Sequence, residues 1–195
     1  MLDLNDALIF VIQTLGSLYL LIVLLRFILQ LVRANFYNPL CQFTVRTTQP
    51  LLKPLRRVIP SLFGLDMSSL VLALIVQMLV FCAVLLLSYE PFNVLGLLAW
   101  ALIGLTSLFL KIFFFAMIIS VILSWVAPDS RSPAAELVNQ ITEPVLTPFR
   151  RLLPNFGGLD ISPIFAFMAI QLVQSFVIPR LAFFVGMPRV LFGLI

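Results

Sequence analysis

Two pairs of adjacent arginines, each followed by an aspartate ten residues after its first member, stand out in an otherwise apolar chain. The six residues are Arg56, Arg57 and Asp66, and Arg150, Arg151 and Asp160. Guanidinium groups bind carboxylates and phosphates through charge-assisted, often paired hydrogen bonds. These residues are therefore candidates for binding anionic lipid headgroups or an acidic or phosphate group of a partner. Asp160 could instead pair with Arg150 or Arg151, or favour the N-terminus of the helix after it.

Residues for other kinds of chemistry are scarce. The chain contains no histidine, which removes the commonest general base and metal ligand. Its two cysteines, Cys41 and Cys82, lie far apart in the sequence and are expected to be free packing residues. No phosphate-binding loop, dinucleotide fingerprint, zinc spacing or Ser-His-Asp set is present. We expect a protein that is not an enzyme, with no catalytic, cofactor or metal site and no direct binding of nucleic acid.

Three polar side chains within long apolar runs form a second group of candidates: Lys111, Gln77 and Gln171. A lysine at the centre of a membrane span costs about 2.5–3.5 kcal/mol on insertion scales, so Lys111 needs a polar pocket or an escape to the interface. The two glutamines are expected to join neighbouring helices by hydrogen bonds. Arg26 lies near the end of its run and is expected to snorkel to the headgroups.

The apolar runs that hold these residues are long enough to cross a membrane. Hydrophobic residues make up 62% and charged residues 10% of the 195 residues, against about 45–50% and about 25% in soluble domains. A helix of about 20 residues crosses the hydrocarbon, and open sheet edges cannot face lipid. We predict an all-α membrane protein with four transmembrane helices, at about 7–32, 68–88, 94–126 and 162–187. A division of the third run at Lys111 would give five spans instead.

The chain is a tandem repeat with a period of 94 residues. Residues 26–77 align without a gap with residues 120–171, and 16 of these 52 positions are identical. The identical residues include many Pro, Arg, Gly, Asp and Gln, whereas chance similarity between apolar segments would match leucines. We predict two units, residues 1–94 and 95–195, each with two spans around a connecting segment. Because two spans return the chain to its starting side, the units are predicted to be parallel in orientation.

Basic residues are concentrated in the two segments that connect the spans within each unit. They are Arg33, Arg46, Lys53, Arg56 and Arg57 in the first segment, and Arg131, Arg150 and Arg151 in the second. The opposite side holds only Arg180 and Arg189. Because cytoplasmic loops carry an excess of Lys and Arg, we predict that both connecting segments face the cytoplasm and that both termini lie outside.

Each connecting segment begins with a helix-capping residue followed by proline, at Asn38-Pro39 and at Ser132-Pro133. We predict that an amphipathic helix lying on the membrane surface starts at each site. In the second unit its apolar face would comprise Ala134, Leu137, Val138, Ile141 and Val145. The prolines at positions 50, 54 and 60, and at 144, 148 and 154, are expected to prevent a long regular helix and to force short turns.

The second unit carries a specific combination of motifs: SW at Ser124, TEP ending at Pro144, PFRRLLP beginning at Pro148, and GGLDISP beginning at Gly157. This combination resembles the YggT family, also called YlmG-like, and the chain reads as two such modules. The first unit departs from the pattern, with Gln49 in place of the acidic residue, Lys53 within the proline spacing, and Phe63 in place of the first glycine. The resemblance implies an inner-membrane protein of bacteria, with relatives in plastids and no established catalytic activity.

The resemblance also implies a link to cell division, nucleoid distribution, maturation of membrane complexes, or tolerance of osmotic stress. Our leading hypothesis is a scaffold or assembly factor whose arginine-bearing segments bind anionic lipid headgroups and another membrane or division protein, with a homo-oligomer possible. The alternative is a small channel or ion-homeostasis factor with Lys111, Gln77 and Gln171 along its path.

Overall fold

The computed structural model of the protein describes residues 4–62, 64–127, 132–152 and 160–195. These residues form six helices and a C-terminal 3₁₀ helix at Arg189–Leu194, and no β-strand occurs among them. The helices are α1 (Leu4–Leu31), α2 (Pro39–Leu55), α3 (Met67–Leu87), α4 (Val94–Val126), α5 (Pro133–Leu152) and α6 (Ser162–Phe184). Within α6, a π-helical turn at Val173–Val177 precedes Pro179 and joins two α-helical parts.

Within the described ranges, α1, α3, α4 and α6 are the helices long and apolar enough to span a membrane. The protein is therefore an all-α, multi-pass membrane protein, as predicted. Helix α4 runs through Lys111 without a break, so the structure has the four-span arrangement and not the five-span alternative. Helix α6 ends three residues before the predicted position 187, because Gly186 adopts a left-handed conformation (φ 63°) and Met187 N donates to Ala182 O (2.9 Å).

The order of helices repeats with the sequence. Helices α1, α2 and α3 of the first unit correspond to α4, α5 and α6 of the second, and α2 and α5 start 94 residues apart, at Pro39 and Pro133. Both predicted caps are present: Leu40 N donates to Asn38 Oδ1 (2.9 Å), and Ala135 N donates to Ser132 Oγ (3.2 Å). The unit boundary after residue 94 remains a prediction.

The expectation that prolines break the connecting segments into short turns is wrong for the first two prolines of each segment, whereas Pro60 lies in the non-helical stretch after α2. Pro50 and Pro54 lie inside α2, and Pro144 and Pro148 lie inside α5. Each pair is spaced by four residues and is exposed, so the missing N–H groups fall on one outer face of the helix. The inner face keeps its packing and the helix continues. Pro154 lies outside the described residues.

Helices α2 and α5, here called the connector helices, pack within their own units. Helix α2 contacts α1 and α3, while α5 contacts α4 and α6. The repeat-equivalent Leu52 and Leu146 are both buried in one core that all six helices share. In α5 the buried face includes Ala135, Thr142 and Leu146, whereas Ala134, which we predicted to be on it, is exposed. The connector helices are thus fixed against the spans.

The two units also meet through polar contacts at the connector helices. Asn38 Nδ2 donates to Pro133 O (2.6 Å), and Asn35 N donates to Gln140 Oε1 (3.1 Å). These bonds join the loop before α2 to the first half of α5, and the two connector helices contact each other. Each connector helix also lies between the two spans of its unit, so in a four-span arrangement both arginine pairs belong to the same end of the bundle.

Candidate functional site

The first arginine of the first pair forms an ion pair with the aspartate that follows it. Arg56 caps the C-terminus of α2, where a positive charge is favoured, and its Nε and Nη2 both donate to Asp66 Oδ2, Nε at 3.1 Å. Ser69 Oγ donates to the same oxygen (3.0 Å). The Asp66 side chain is only 8% exposed, whereas that of Arg56 is 42% exposed. This ion pair connects the end of α2 to the start of α3.

The charge state of Asp66 follows from these contacts. Burial acts to raise the pKa of Asp66, but hydrogen bonds from Arg56 and Ser69 and the positive charges of Arg56 and Arg26 outweigh it. The pKa of Asp66 is therefore lowered from its ordinary value, and the carboxylate is ionised at neutral pH.

The side chain of Gln30, at the end of α1, fixes the turn before Asp66. Its Nε2 donates to Gly64 O (3.0 Å), and its Oε1 accepts from Asp66 N (3.3 Å). Gly64 has φ 77°, a conformation that favours glycine. The turn, the carboxylate and the arginine are thereby held against the end of the first span.

The second unit repeats this ion pair in a more exposed form. Arg150 Nε donates to Asp160 Oδ2 (2.8 Å), and both side chains are 42% exposed. Arg150 Nη1 also donates to both carboxylate oxygens of Glu143, at 2.7 and 2.9 Å. Asp160 Oδ1 accepts from Ser162 N (2.9 Å) at the start of α6. Of the two arginines, Arg150 is thus the one that pairs with Asp160, and the same carboxylate also caps the following helix.

The ionisation of this second cluster has similar causes. Burial acts to raise the pKa of Asp160, but hydrogen bonds from Ser162 and Arg150 prevail and lower the pKa. For Arg150, burial acts to lower the pKa, but the hydrogen bonds and negative charges of Asp160 and Glu143 raise it. Asp160 and Arg150 are therefore both charged at neutral pH, and the Arg150 guanidinium donates to carboxyl oxygens of both Asp160 and Glu143.

The second arginine of each pair differs from the first. Arg57 and Arg151 are exposed, and neither side chain has a hydrogen-bond or ion-pair partner within the described part of the chain. The sequence showed two equivalent arginines at each site. The structure separates one that holds the connector to the next span from one that faces outward.

The expectation that Arg26 snorkels to the headgroups is wrong. Arg26 is only 7% exposed, and its Nη1 donates to Val45 O (3.2 Å) and Thr48 Oγ1 (2.5 Å) on α2. The charge therefore turns inward to the connector helix and does not snorkel to the headgroups, because α2 offers it buried acceptors.

The intramembrane candidates are not all brought together. Lys111 and Gln171 border the same small cavity, about 180 Å³ in volume, but Gln77 is buried elsewhere, beside Gly104. Gln171 Nε2 donates to Ser175 Oγ (3.1 Å) within α6, so the expected interhelical bond is absent at this residue. Gln174 makes such a bond instead, from Nε2 to Ser107 Oγ on α4 (2.5 Å).

Four residues of these clusters were not identified from the sequence as site residues: Arg26, Gln30, Arg33 and Glu143. Placing the two units in register shows where they differ, with Ser120, Ser124 and Ala127 opposite Arg26, Gln30 and Arg33. These differences are the sequence signal that could have marked the first three residues. Phe63, Gly157 and Arg131 lie outside the described residues.

Comparison with known proteins agrees with the repeat. The CCB3/YggT family matches the chain twice, at residues 5–87 and 99–181, which are also 94 residues apart. The chain belongs to the YggT family. No solved structure matches it significantly.

Relatives of this chain occur in several bacteria. An uncharacterized protein of Pseudomonas aeruginosa is 62% identical over 191 residues, covering 97% of both chains. A Vibrio alginolyticus protein, described as uncharacterized and encoded in the proC 3′ region, is 39% identical over 83% of this chain and 88% of its own. The uncharacterized protein YggT of Escherichia coli K12 is 37% identical over 87% of this chain and 88% of its own. These names specify no activity.

Proposed function

We propose that the protein is a non-enzymatic membrane scaffold or assembly factor whose connector helices bind anionic lipid headgroups and an acidic surface of another membrane protein. The observation that carries this proposal is that the two arginines of each pair differ in their contacts. Arg56 and Arg150 are held by carboxylates, while Arg57 and Arg151 are exposed at equivalent positions beside them.

The rigidity of the connector helices supports the proposal. Each is packed on two spans of its unit, and each C-terminal end is tied by an ion pair to the start of the next span. An exposed guanidinium on such a support loses little freedom when it binds carboxylate or phosphate. Two of them on one side of the molecule can engage a partner and the lipid surface together.

The excess of basic residues on the connectors supports a cytoplasmic location for both, with the termini outside, in the inner membrane. From this position the protein would bring a partner to the membrane during cell division, nucleoid distribution or maturation of a membrane complex. This part of the proposal draws on the family resemblance.

The test is a double charge reversal, Arg57→Glu with Arg151→Glu. Because neither side chain has a partner among the described residues, the variant should fold and insert as the wild type does, while its co-purifying proteins are lost. The matched control is Arg180→Glu with Arg189→Glu, which makes the same charge change on exposed residues near the other end of the last span. An unchanged set of co-purifying proteins in the first variant would overturn the proposal.

The cavity beside Lys111 favours a second candidate, a small channel or ion-homeostasis factor. Lys111, Gln171 and Gln174 border it, although Gln77 does not. The channel hypothesis predicts ion flux through purified protein in liposomes and a changed flux in Lys111→Leu. The scaffold hypothesis predicts no flux and a more stable variant, because removing a lysine from the span removes an insertion cost of about 2.5–3.5 kcal/mol.

A further inference from the structure

A cationic cavity lies in the first unit between the end of α1 and the connector helix α2. Its volume is about 620 Å³, and its charged lining consists of Arg26, Arg33 and Arg56. Gln30, Gln49 and Thr44 add neutral polar groups, and the lining described contains no Asp or Glu. Arg56 is already paired with Asp66, so the positive charges of Arg26 and Arg33 are the ones that favour an anion inside the cavity.

Among the arginines of the lining, Arg26 is the one whose burial most favours a bound anion. It is 93% buried, since only 7% of its surface is exposed, and it carries a charge. Within the described residues its hydrogen bonds all come from Nη1, so Nε and Nη2 have no protein partner. Because a buried charge is costly unless it is paired, these nitrogens favour an acceptor with negative charge.

Arg33 lines the cavity from the C-terminal end of α1. Its backbone is left-handed, with φ 53°, at a position where helices usually have glycine or asparagine. Ala34 N donates to Leu29 O (2.8 Å) and Arg33 N donates to Gln30 O (3.1 Å), so the helix end holds this conformation. An arginine in this strained position places a guanidinium group at the cavity.

The equivalent cavity of the second unit has a different charge. It is about 420 Å³ in volume and is lined by Ser120, Ala127, Glu143 and Arg150 among others. Here Ser120 and Ala127 stand where the first unit has Arg26 and Arg33, and Glu143 stands where the first has Gln49. The carboxylate of Glu143 lies on Arg150 and supplies an internal anion.

We infer that the cavity of the first unit binds a phosphate group, either that of an anionic phospholipid headgroup or a free phosphate. This inference goes beyond the proposed function, since it concerns Arg26 and Arg33 and not the exposed Arg57 and Arg151. Tetrahedral phosphate oxygens can accept from guanidinium groups, and Arg26 and Arg33 supply such groups at this cavity. Leu29, Phe36 and Val45 also line the cavity and provide an apolar wall for the glycerol end of a lipid.

The test measures binding to the purified full chain in a neutral detergent by native mass spectrometry. The ligands are phosphatidylglycerol, inorganic phosphate and, as a zwitterionic comparison, phosphatidylcholine. The main variant is Arg33→Ala, since Arg33 is exposed and its loss should leave the fold intact. The matched control is Arg46→Ala, which removes the same charge from an exposed position of α2 outside the cavity lining.

We expect Arg33→Ala to weaken binding by about tenfold or more, because hydrogen bonds to charged groups are the strong ones, and Arg46→Ala to leave it unchanged. Saturable binding of phosphatidylglycerol but not of inorganic phosphate would identify the ligand as a lipid headgroup. Saturable binding of inorganic phosphate that Arg33→Ala weakens to the same extent would identify a soluble phosphate. Arg26→Ser, which installs the second unit's residue, should weaken the same binding in protein that remains folded by circular dichroism. Equal weakening in Arg33→Ala and Arg46→Ala, or no saturable binding of either ligand, would overturn the inference.

The two experiments can fail independently. Loss of protein partners in the Arg57 and Arg151 variant, with no phosphate binding in the cavity, would leave the scaffold proposal standing and remove this inference. Phosphate binding that depends on Arg33, with no change in partners, would do the reverse.

Discussion

The two connector regions keep the same ion pair in very different surroundings. Asp66 is 8% exposed in its side chain and has Arg56 as its ion-pair partner, whereas Asp160 is 42% exposed and shares Arg150 with Glu143. The cavity beside Arg56 has two further arginines in its wall, whereas the described lining of the cavity beside Arg150 has no further arginine. The contact that joins connector to span has been kept in both units, while the charge around it has diverged.

This difference shows which residues serve the fold and which serve a ligand. The Arg–Asp pair is present in both units because each connector helix must be tied to the next span. In the second unit Glu143 provides a negative charge from within the protein. The first unit has Gln49 at that position and two arginines in addition to the Arg56–Asp66 pair, so its cavity favours an anion from outside.

The largest effect is expected from removing the two aspartates one at a time. Asp66→Asn leaves a partly buried arginine without its counter-charge and should destabilise the protein by about 2 kcal/mol. Asp160→Asn breaks an exposed pair and should cost about 1 kcal/mol or less. Thermal unfolding in detergent measures both, and the same fall in Tm for the two variants would contradict the difference in burial.

A smaller effect on stability is expected when the pH is lowered. A carboxyl group whose folded pKa lies below its unfolded value of about 3.9 contributes stability above that value and loses it as the pH falls through the folded pKa. The pKa of Asp66 is lowered in this way. The Tm of the wild type should therefore fall steeply below about pH 4. The Tm of Asp66→Asn should fall less steeply. Parallel curves of Tm against pH for the two proteins would contradict the lowered pKa of Asp66.

The smallest effect is expected from exchanging one residue between the units. Gln49→Glu places in the first cavity the carboxylate that the second unit has, and it should weaken phosphate binding severalfold, by about 1 kcal/mol or less. Glu143→Gln is the reciprocal control and should leave that binding unchanged, since it alters the other cavity. Stronger phosphate binding by Gln49→Glu would contradict the role given to the absence of a carboxylate at position 49.

The spans, the repeat and the starts of the connector helices could be predicted because they depend on local properties of the sequence. Apolar length fixes a span, and Asn38-Pro39 is a cap whatever lies around it. Proline was misinterpreted because its effect on a helix depends on which face of the helix it occupies. Pro50 and Pro54 are tolerated in α2 because their spacing places both on its outer side.

The cavities could not be predicted because they depend on contacts between helices. Arg26 was assigned to the headgroups because the sequence does not show that Thr48 lies beside it. The different roles of Arg56 and Arg57 were hidden for the same reason, since the sequence does not show that the turn after α2 brings Arg56 to Asp66. The family explains the repeat but not the charges that distinguish its two copies.

The most direct test of the scaffold function is photocrosslinking in cells at Val58 and Leu152. These are repeat-equivalent residues next to Arg57 and Arg151, and they are 81% and 80% exposed. A photoreactive residue at Tyr89, which is 86% exposed in the turn between the units, is the matched control. The account predicts that both connector positions capture a protein partner that Tyr89 does not. No captured protein at either connector, or the same set at Tyr89, would contradict it.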